Sequence, residues 1–188
     1  MLQSFVAASA AGKSMADFSH IAGIVLAGGR SSRMGHNKAF LEFKGKPLVE
    51  HMLDVLQSVG LKDVFVSGHV EGYPCIVDDA PFSGPAEAIK STLKKIPGYK
   101  GYLFVPVDMP FLKSQTLQVL LAQEYGGYFI KWPLPAYLTP PFSLTNSVSA
   151  HDFLAAQGIY PVSLPQDFEE DMKNINTPQE WEEALKAP

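Results

Sequence analysis

The sequence has one cysteine, no long apolar run and no excess of basic residues. Cys75 cannot form an internal disulfide and has no companion at a metal-binding spacing, which fits a reducing cytoplasm. The formal net charge of -4 argues against the broad basic surface that nucleic-acid binding needs. No segment approaches the roughly 18 uninterrupted apolar residues of a membrane helix. We therefore expect a cytoplasmic protein with no nucleic-acid partner and no membrane span.

Arginine is also scarce, and its placement is informative. The only two arginines, Arg30 and Arg33, lie in one loop within the stretch "VLAGGRSSRMGHNKAF" at residues 25–40. The planar guanidinium binds phosphate or carboxylate through paired hydrogen bonds, so this placement predicts an anion at the loop. The loop contains neither the Gly-Lys-Ser/Thr of a Walker motif nor a Gly-x-Gly-x-x-Gly pattern. Both standard nucleotide-binding motifs are therefore excluded.

The length and apolar content set the domain organisation. The 188 residues, 46% of them hydrophobic, are enough for one domain with a substantial core. We assign a single domain to residues 21–188. Residues 1–20 lack the positive start and the longer apolar core of a secretory signal, and they are predicted to be a disordered extension.

Short β-branched runs alternate with amphipathic segments over the first two thirds of the chain. The predicted strands are "IAGIVLAGG", "DVFVSG", "YPCIVDD" and "YLFVPVD". The predicted helices are "KPLVEHMLDVLQSVG", "GPAEAIKSTLKKI" and "SQTLQVLLAQEYGG", the last with Ser114 as its cap. This alternation predicts an α/β fold with a mostly parallel sheet between helices.

After residue 126 the signals weaken. The stretches "GGYFIKW", "PAYLT" and "YPVSL" are typical of strands, although prolines interrupt their surroundings. A last helix is predicted to start with Thr177 as cap and Pro178 at its first position. The acidic run "DFEED" at residues 167–171 is predicted to be a solvated face.

In open parallel sheets, ligands bind beyond the carboxyl ends of the strands, and three loops meet this condition. The first offers the backbone of Gly28 and Gly29, followed by Lys38, and can cradle a phosphate. The second offers Asp78 and Asp79 before a helix, as ligand contacts or as turn residues. The third offers Asp108, either a ligand of a divalent cation or a cap of the turn at Met109-Pro110.

Together these residues resemble a known family. The stretch "LAGGRSSRMGHNK" resembles the signature Leu-Ala-Gly-Gly-x-Ser-x-Arg-Met-Gly-x-x-Lys of the MobA-like nucleotidyltransferases, in particular the molybdenum cofactor guanylyltransferases. The resemblance continues through "GKPLVEH", "DD" followed by "GP", "PVDMPF" and "NINTPQE", in the family's order. It implies a three-layer, Rossmann-like nucleotidyltransferase fold with a mixed, mostly parallel sheet.

The resemblance also implies an activity, namely transfer of GMP from GTP to the phosphate of molybdenum-bearing molybdopterin, with release of pyrophosphate. Such a transfer needs charge neutralisation and in-line positioning more than a covalent nucleophile. The expected partners are GTP and the molybdopterin cofactor, with Mg²⁺ as the cofactor of the reaction; a partner protein that supplies the acceptor stays open.

The resemblance assigns roles to individual residues. The expected nucleotide contacts are Leu26, Ala27, Gly28, Gly29, Lys38, Ser67, Asp78 and Asp108. Of these, Lys38 would bind the phosphates, Asp78 the guanosine part, and Asp108 both the nucleotide and Mg²⁺. Asn174 and Asn176 would contact the acceptor. We add Arg33 for the pyrophosphate, alternatively a surface ion pair, so that Arg33, Lys38 and Asp108 form the predicted catalytic set.

Several positions depart from the family pattern. Asn37 stands where aspartate is usual before Lys38, and "GPAEA" places Glu87 where the family has a smaller residue; we expect this glutamate to turn outward. Ser67 replaces an asparagine and could donate one hydrogen bond. No lysine or arginine occurs between Lys131 and Lys173, so acceptor recognition is predicted to be weak, metal-dominated or completed by a partner protein.

Two other functions therefore stay open. One is a sibling enzyme that uses another nucleotide, such as CTP, or another phosphorylated acceptor. "LAGG" favours the guanylyl branch, because the related cytidylyltransferases usually have "LAAG". The other is a non-catalytic nucleotide-binding relative, which the departures at Asn37 and Glu87 motivate.

Overall fold

The computed structural model describes residues 17–28, 37–80, 82–145, 147 and 149–187. Strands and helices alternate along this part of the chain, as the sequence predicts. The strands are β1 Ile21–Leu26, β2 Glu42–Phe43, β3 Lys46–Pro47, β4 Asp63–Ser67, β5 Cys75–Ile76, β6 Gly101–Pro106, β7 Gly127–Phe129, β8 Trp132–Leu138 and β9 Pro161–Val162. The α-helices are α1 Leu48–Ser58, α2 Pro85–Lys95, α3 Ser114–Leu121, α4 Ala150–Ala156 and α5 Pro178–Lys186. Short 3-10 helices lie at Lys38–Phe40, Gln166–Phe168 and Glu170–Met172.

The central sheet has seven strands in the order β5-β4-β1-β6-β8-β7-β9. Strand β1 pairs in parallel with both β4 and β6, and β4 pairs in parallel with β5. Strand β8 runs antiparallel to its neighbours β6 and β7, while β9 runs parallel to β7. The sheet is therefore mixed and mostly parallel, which confirms the predicted class. The small hairpin of β2 and β3 forms a separate two-stranded sheet.

Both faces of the sheet are covered by helices. Successive residues of β1 alternate between two apolar clusters, with Val25 in one and Ile24 in the other. The first cluster includes Met52 of α1 and Leu117 of α3, and the second includes Ile89 of α2 and Phe153 of α4. These are the three layers that the resemblance implies.

Local details correct three sequence predictions. Lys113, not Ser114, occupies the N-cap position of α3, and the Ser114 hydroxyl instead donates to Gln115. The acidic run is not a uniformly solvated face, because Asp171 is buried and accepts hydrogen bonds from Thr116 and Lys113 of the adjacent α3 region. Helix α4 was not predicted, since its seven residues lie in the proline-rich stretch and give too short a periodic signal.

The described part of the chain begins at residue 17. Of the predicted extension at residues 1–20, residues 1–16 lie outside the described residues, and Phe18 packs against the first apolar cluster. Within the described part of the chain, no helix is long and apolar enough to cross a membrane.

Candidate active site at the carboxyl ends of the central strands

A pocket of about 530 Å³ lies where β1 and β6 end, the place expected for a ligand in an open parallel sheet. One wall consists of residues 26–28, 37–38 and 106–109, which follow or end these strands. Asp78 and the start of α2 form a second wall. The turn from β7 into β8, residues 131–134, forms a third, and Asn174 closes one side. All three loops singled out from the sequence therefore reach one pocket.

Lys38 and Asp108 form the charged centre of this pocket. Lys38 Nζ lies 3.1 Å from Asp108 Oδ2, and both side chains are largely buried, with 15% and 21% exposed. The same ammonium group donates to the carbonyl oxygen of Ile175 at 2.7 Å and to Asn176 Oδ1 at 2.9 Å. These partners come from positions 70, 137 and 138 residues away in sequence, so only the tertiary fold brings them together.

The segment that supplies Ile175 and Asn176 is fixed by the start of α5. Thr177 and Glu180 form a capping box, in which the Thr177 hydroxyl accepts from the Glu180 amide and the Glu180 carboxylate accepts from the Thr177 amide. The Glu180 carboxylate also accepts from the Asn176 amide, and this hydrogen bond is the main reason that its pKa lies below the ordinary value. The Ile175 amide in turn donates to the Asp108 carbonyl at 2.8 Å. The segment is thereby held against the loop that carries Asp108.

His51 holds the loop that carries Asp108 through a hydrogen bond. Its Nε2 lies 2.8 Å from the carbonyl oxygen of Pro110, so the ring nitrogen donates this hydrogen bond. The ring packs edge-on against Phe43, and burial lowers the pKa of the imidazole. A neutral His51 thus tethers the turn that follows Asp108 to α1.

Asp78 is a buried carboxylate at the pocket wall. Its side chain accepts a hydrogen bond from the Ser67 hydroxyl at 3.0 Å, and Ser67 in turn accepts one from Thr92 at 3.3 Å. Burial raises the pKa of Asp78, partly offset by the bond from Ser67. Ser67 is fully buried and is not among the described residues that line the pocket, so it acts on the pocket by holding Asp78. The predicted hydrogen bond from Ser67 is present, and its partner is this carboxylate.

Gly28 lets the first loop pass close to Asp78. A Cβ atom at Gly28 would lie 2.6 Å from Asp78 Oδ2. Gly68 approaches the same backbone with φ of +126°, and its Cβ would lie 2.6 Å from the Gly28 nitrogen. Two glycines are therefore required for the chain to pack between Asp78 and the end of β4.

The departures from the family pattern have local explanations. The Asn37 side chain accepts from the Ala39 amide at 3.1 Å and caps the short helix that carries Lys38. Glu87 does turn away from the pocket, as expected, and pairs with Lys90 of the next helical turn. Asp79 likewise points elsewhere and pairs with Lys95 at 2.6 Å.

The structure brings together most of the predicted site and adds residues that the sequence did not suggest. Leu26, Ala27, Gly28 and Asn174 line the pocket, whereas Gly29, Arg30 and Arg33 lie outside the described residues. The additions are Phe82 beside α2 and Lys131 with Trp132 on the β7–β8 turn. The sequence predicts one strand over "GGYFIKW", which is wrong: β7 ends at Phe129, residues 130 and 131 form a turn, and β8 begins at Trp132.

Known proteins resemble this chain over most of its length. Residues 23–133 match the MobA-like NTP transferase domain. A molybdenum cofactor guanylyltransferase from Xanthomonas euvesicatoria is 34% identical over 176 residues, which cover 87% of this chain and 93% of that protein. A protein of the same name from Rhizobium johnstonii is 30% identical, with 91% of this chain and 97% of that protein covered.

Solved structures show the same fold at lower sequence identity. The molybdopterin-guanine dinucleotide biosynthesis protein A of Archaeoglobus fulgidus superposes with a TM-score of 0.62 and 22% identity, covering 88% of this chain and 97% of that one. A nucleotidyl transferase from Methanothermobacter gives a TM-score of 0.66 at 17% identity, with 87% and 94% covered. With the domain match spanning residues 23–133, the resemblance read from the motifs is confirmed, and the chain belongs to the MobA-like NTP transferase family of nucleotidyltransferases.

Proposed function

We propose that this protein transfers GMP from GTP to the phosphate of molybdenum-bearing molybdopterin, releasing pyrophosphate. The observation that carries the proposal is the Lys38–Asp108 pair, which contacts the Asn174–Thr177 segment in a pocket at the strand ends. The long alignments to proteins named molybdenum cofactor guanylyltransferase support the choice of substrates.

In this proposal GTP lies along the wall formed by β1, β5 and β6. Gly28 lines the pocket without a side chain, so the nucleotide can approach its backbone closely. The Asp78 carboxylate, which lies beside Gly28, accepts hydrogen bonds from donors of the guanosine. Lys38 exchanges its contact with Asp108 for the phosphates of the nucleotide. Arg33, on the same glycine-containing loop of the sequence, is proposed for the pyrophosphate.

The residues present fit a magnesium ion that arrives with the nucleotide. No group of three or more His, Cys, Asp or Glu side chains is placed to hold a metal within the described part of the chain. A single carboxylate is nevertheless sufficient, because Mg²⁺ is commonly bound by one or two carboxylates together with substrate phosphates and water. Asp108 is the carboxylate proposed for it. The ion would supply neutralisation of the charge on the phosphates.

The transfer requires positioning rather than a covalent enzyme intermediate. A phosphate oxygen of the acceptor attacks the α-phosphorus of GTP, a new P–O bond forms, and the bond from the α-phosphorus to the bridging oxygen breaks as pyrophosphate leaves. Lys38 and Arg33 would stabilise charge on the phosphates, and Asn174 and Asn176 would orient the acceptor. Mg²⁺, delivery of the acceptor by a partner protein and a cytoplasmic location remain predictions.

Calorimetric titration of the purified protein with GTP, CTP and ATP, each with and without Mg²⁺, tests the proposal. We expect GTP to bind most tightly and Mg²⁺ to strengthen its binding. Incubation with MgGTP and molybdenum-bearing molybdopterin should then release pyrophosphate. A preference for CTP would move the protein to the cytidylyl branch. Binding of GTP without pyrophosphate release would contradict the proposed reaction and leave two functions, a transferase for another phosphorylated acceptor and a non-catalytic relative.

A further inference from the structure

The β7–β8 turn holds a lysine in a backbone conformation that favours glycine. Phe129 and Trp132 pair across the two strands, and Ile130 and Lys131 form the two-residue turn between them. Lys131 has φ of +75°, in the left-handed region. A side chain there is unfavourable, and two-residue hairpin turns usually place glycine or asparagine at such positions. A strained residue at the rim of a pocket points to a role for its side chain.

The charge of Lys131 is available to a ligand. Lys131 and Lys38 are the two lysines among the described residues that line the pocket. Whereas Lys38 contacts Asp108 and the Asn174–Thr177 segment, Lys131 is exposed and makes no hydrogen bond or ion pair with any described residue. An anionic ligand in the pocket would therefore meet an uncompensated ammonium group at this rim.

The position of the turn separates it from the proposed nucleotide wall. Lys131 begins a stretch that continues through Trp132, Pro133 and Leu134, all of which line the pocket. This stretch is the end of the β7–β8 turn and the start of β8, on the opposite side of β6 from β1 and β5. It offers apolar surface for a flat heterocycle next to one cation for a phosphate. The chain has no further lysine or arginine until Lys173, so this half of the pocket depends on Lys131 for positive charge.

We propose that the β7–β8 turn is the acceptor side of the pocket and that Lys131 binds the phosphate of the acceptor. This inference rests on the proposed function, because it takes the acceptor to be molybdenum-bearing molybdopterin. Acceptor recognition is then local to this chain, in contrast to the weak or partner-completed recognition that the lysine-poor stretch predicts.

Replacement of Lys131 by glycine tests the inference without threatening the fold. Glycine adopts positive φ readily, so Lys131→Gly should melt at the wild-type temperature or above it. Loss of a charge-assisted hydrogen bond should raise the KM for molybdenum-bearing molybdopterin about ten-fold or more, measured by pyrophosphate release at saturating MgGTP. The calorimetric affinity for MgGTP should be unchanged, and Lys131→Arg should restore much of the acceptor affinity.

A matched control is available at the β2–β3 turn. Lys44 also has positive φ, at +50°, in an exposed two-residue turn that is not among the described pocket residues. Lys44→Gly should leave the KM for the acceptor unchanged. A wild-type acceptor KM in Lys131→Gly, or an equal loss of GTP affinity, would overturn the inference. Failure of the wild-type protein to bind MgGTP or transfer GMP would instead overturn the proposed function itself.

Discussion

Asp78 illustrates a residue whose burial is unfavourable for stability. Its carboxylate has one described hydroxyl partner, Ser67, and burial raises its pKa. Stability from such a group is present below its unfolded pKa and is lost as pH rises through its folded pKa. At neutral pH the ionised Asp78 therefore lowers the free energy of unfolding. A carboxylate that is unfavourable for stability at the pocket wall fits the proposed role of Asp78 in binding guanosine.

Asp78→Asn should accordingly stabilise the ligand-free protein at pH 7 and weaken GTP binding. The amide keeps an oxygen that accepts from Ser67 and removes the buried charge, so we expect the free energy of unfolding to rise by about 1 kcal/mol. Urea denaturation at pH 7 and near pH 4 measures this, and the gain should shrink toward the lower pH, because burial raises the pKa of Asp78 and protonation removes its charge. A variant that is less stable at pH 7, or a gain independent of pH, would contradict the assignment.

Asp108 is the carboxylate proposed to bind Mg²⁺. Asp108→Asn keeps the shape of the side chain and removes the charge proposed to bind Mg²⁺, while Lys38 retains Ile175 and Asn176 as partners. GMP transfer should fall by at least about 100-fold, with the melting temperature little changed. Asp79→Asn is the control, because Asp79 also follows a parallel strand, β5, but pairs with Lys95 and is not among the described pocket residues. Full activity in Asp108→Asn would disprove the proposed role.

At the scale of residues, the sequence indicates which side chains reach the pocket but not which residues they contact there. Lys38, Asp78 and Asp108 could be predicted as pocket residues because each lies in a loop after a predicted strand. Their motifs also occur in the order typical of the family. Their contacts could not, since Lys38 meets residues more than 130 positions away and Asp78 is held by Ser67 from another strand. Lys131 was missed because its φ and its place at the pocket rim depend on the pairing of β7 with β8.

At the scale of elements, the N-terminus of α5 fixes the segment that contacts Lys38. Its cap residues bind the segment whose Ile175 and Asn176 contact Lys38. Loosening this cap should therefore affect the placement of Lys38 as well as the stability of the helix.

Thr177→Ala should lower the free energy of unfolding by about 1 kcal/mol, the usual effect of losing an N-cap side chain. It should also reduce kcat for GMP transfer, because the segment that positions Lys38 is less fixed. Ser149→Ala removes an equivalent cap from α4, where the Ser149 hydroxyl accepts from the Asp152 amide. We expect this control to lose similar stability in urea denaturation and to keep its kcat. Equal losses of kcat in both variants would show a general effect of destabilisation.

Elements long enough to show a clear pattern of apolar residues could be predicted from the sequence, and the shortest elements could not. β1, β6 and α2 follow from continuous or amphipathic runs bounded by glycine or proline, and the cap at Thr177 follows from its residue type. Helix α4 has too few residues to show a period. Burial of Asp171 depends on partners from the α3 region, which local sequence does not reveal.

At the scale of the whole molecule, the pocket connects two differently built halves of one sheet. The parallel strands β5, β4, β1 and β6 carry the proposed nucleotide wall, and the antiparallel hairpin of β7 and β8 carries the proposed acceptor wall. The first apolar cluster includes residues from both halves, among them Val25 and Phe129. Ligands in the pocket should therefore stabilise the fold as a unit.

Nucleotide binding should raise the melting temperature, and the rise should be largest for the nucleotide that the site binds most tightly. A ligand present at about 100 times its Kd adds about 2.7 kcal/mol to the free energy of unfolding. For a chain of this size that corresponds to a rise of roughly 5–10 °C, which differential scanning calorimetry measures directly. We expect the full rise with MgGTP and smaller rises with equal concentrations of MgATP and MgCTP. Asp78→Asn should start from a higher melting temperature and gain less from MgGTP, because the same carboxylate lowers intrinsic stability and is the proposed contact for guanosine. Equal rises with all three nucleotides would contradict guanine selectivity, and an undiminished MgGTP rise in Asp78→Asn would place the guanosine contact elsewhere in the pocket.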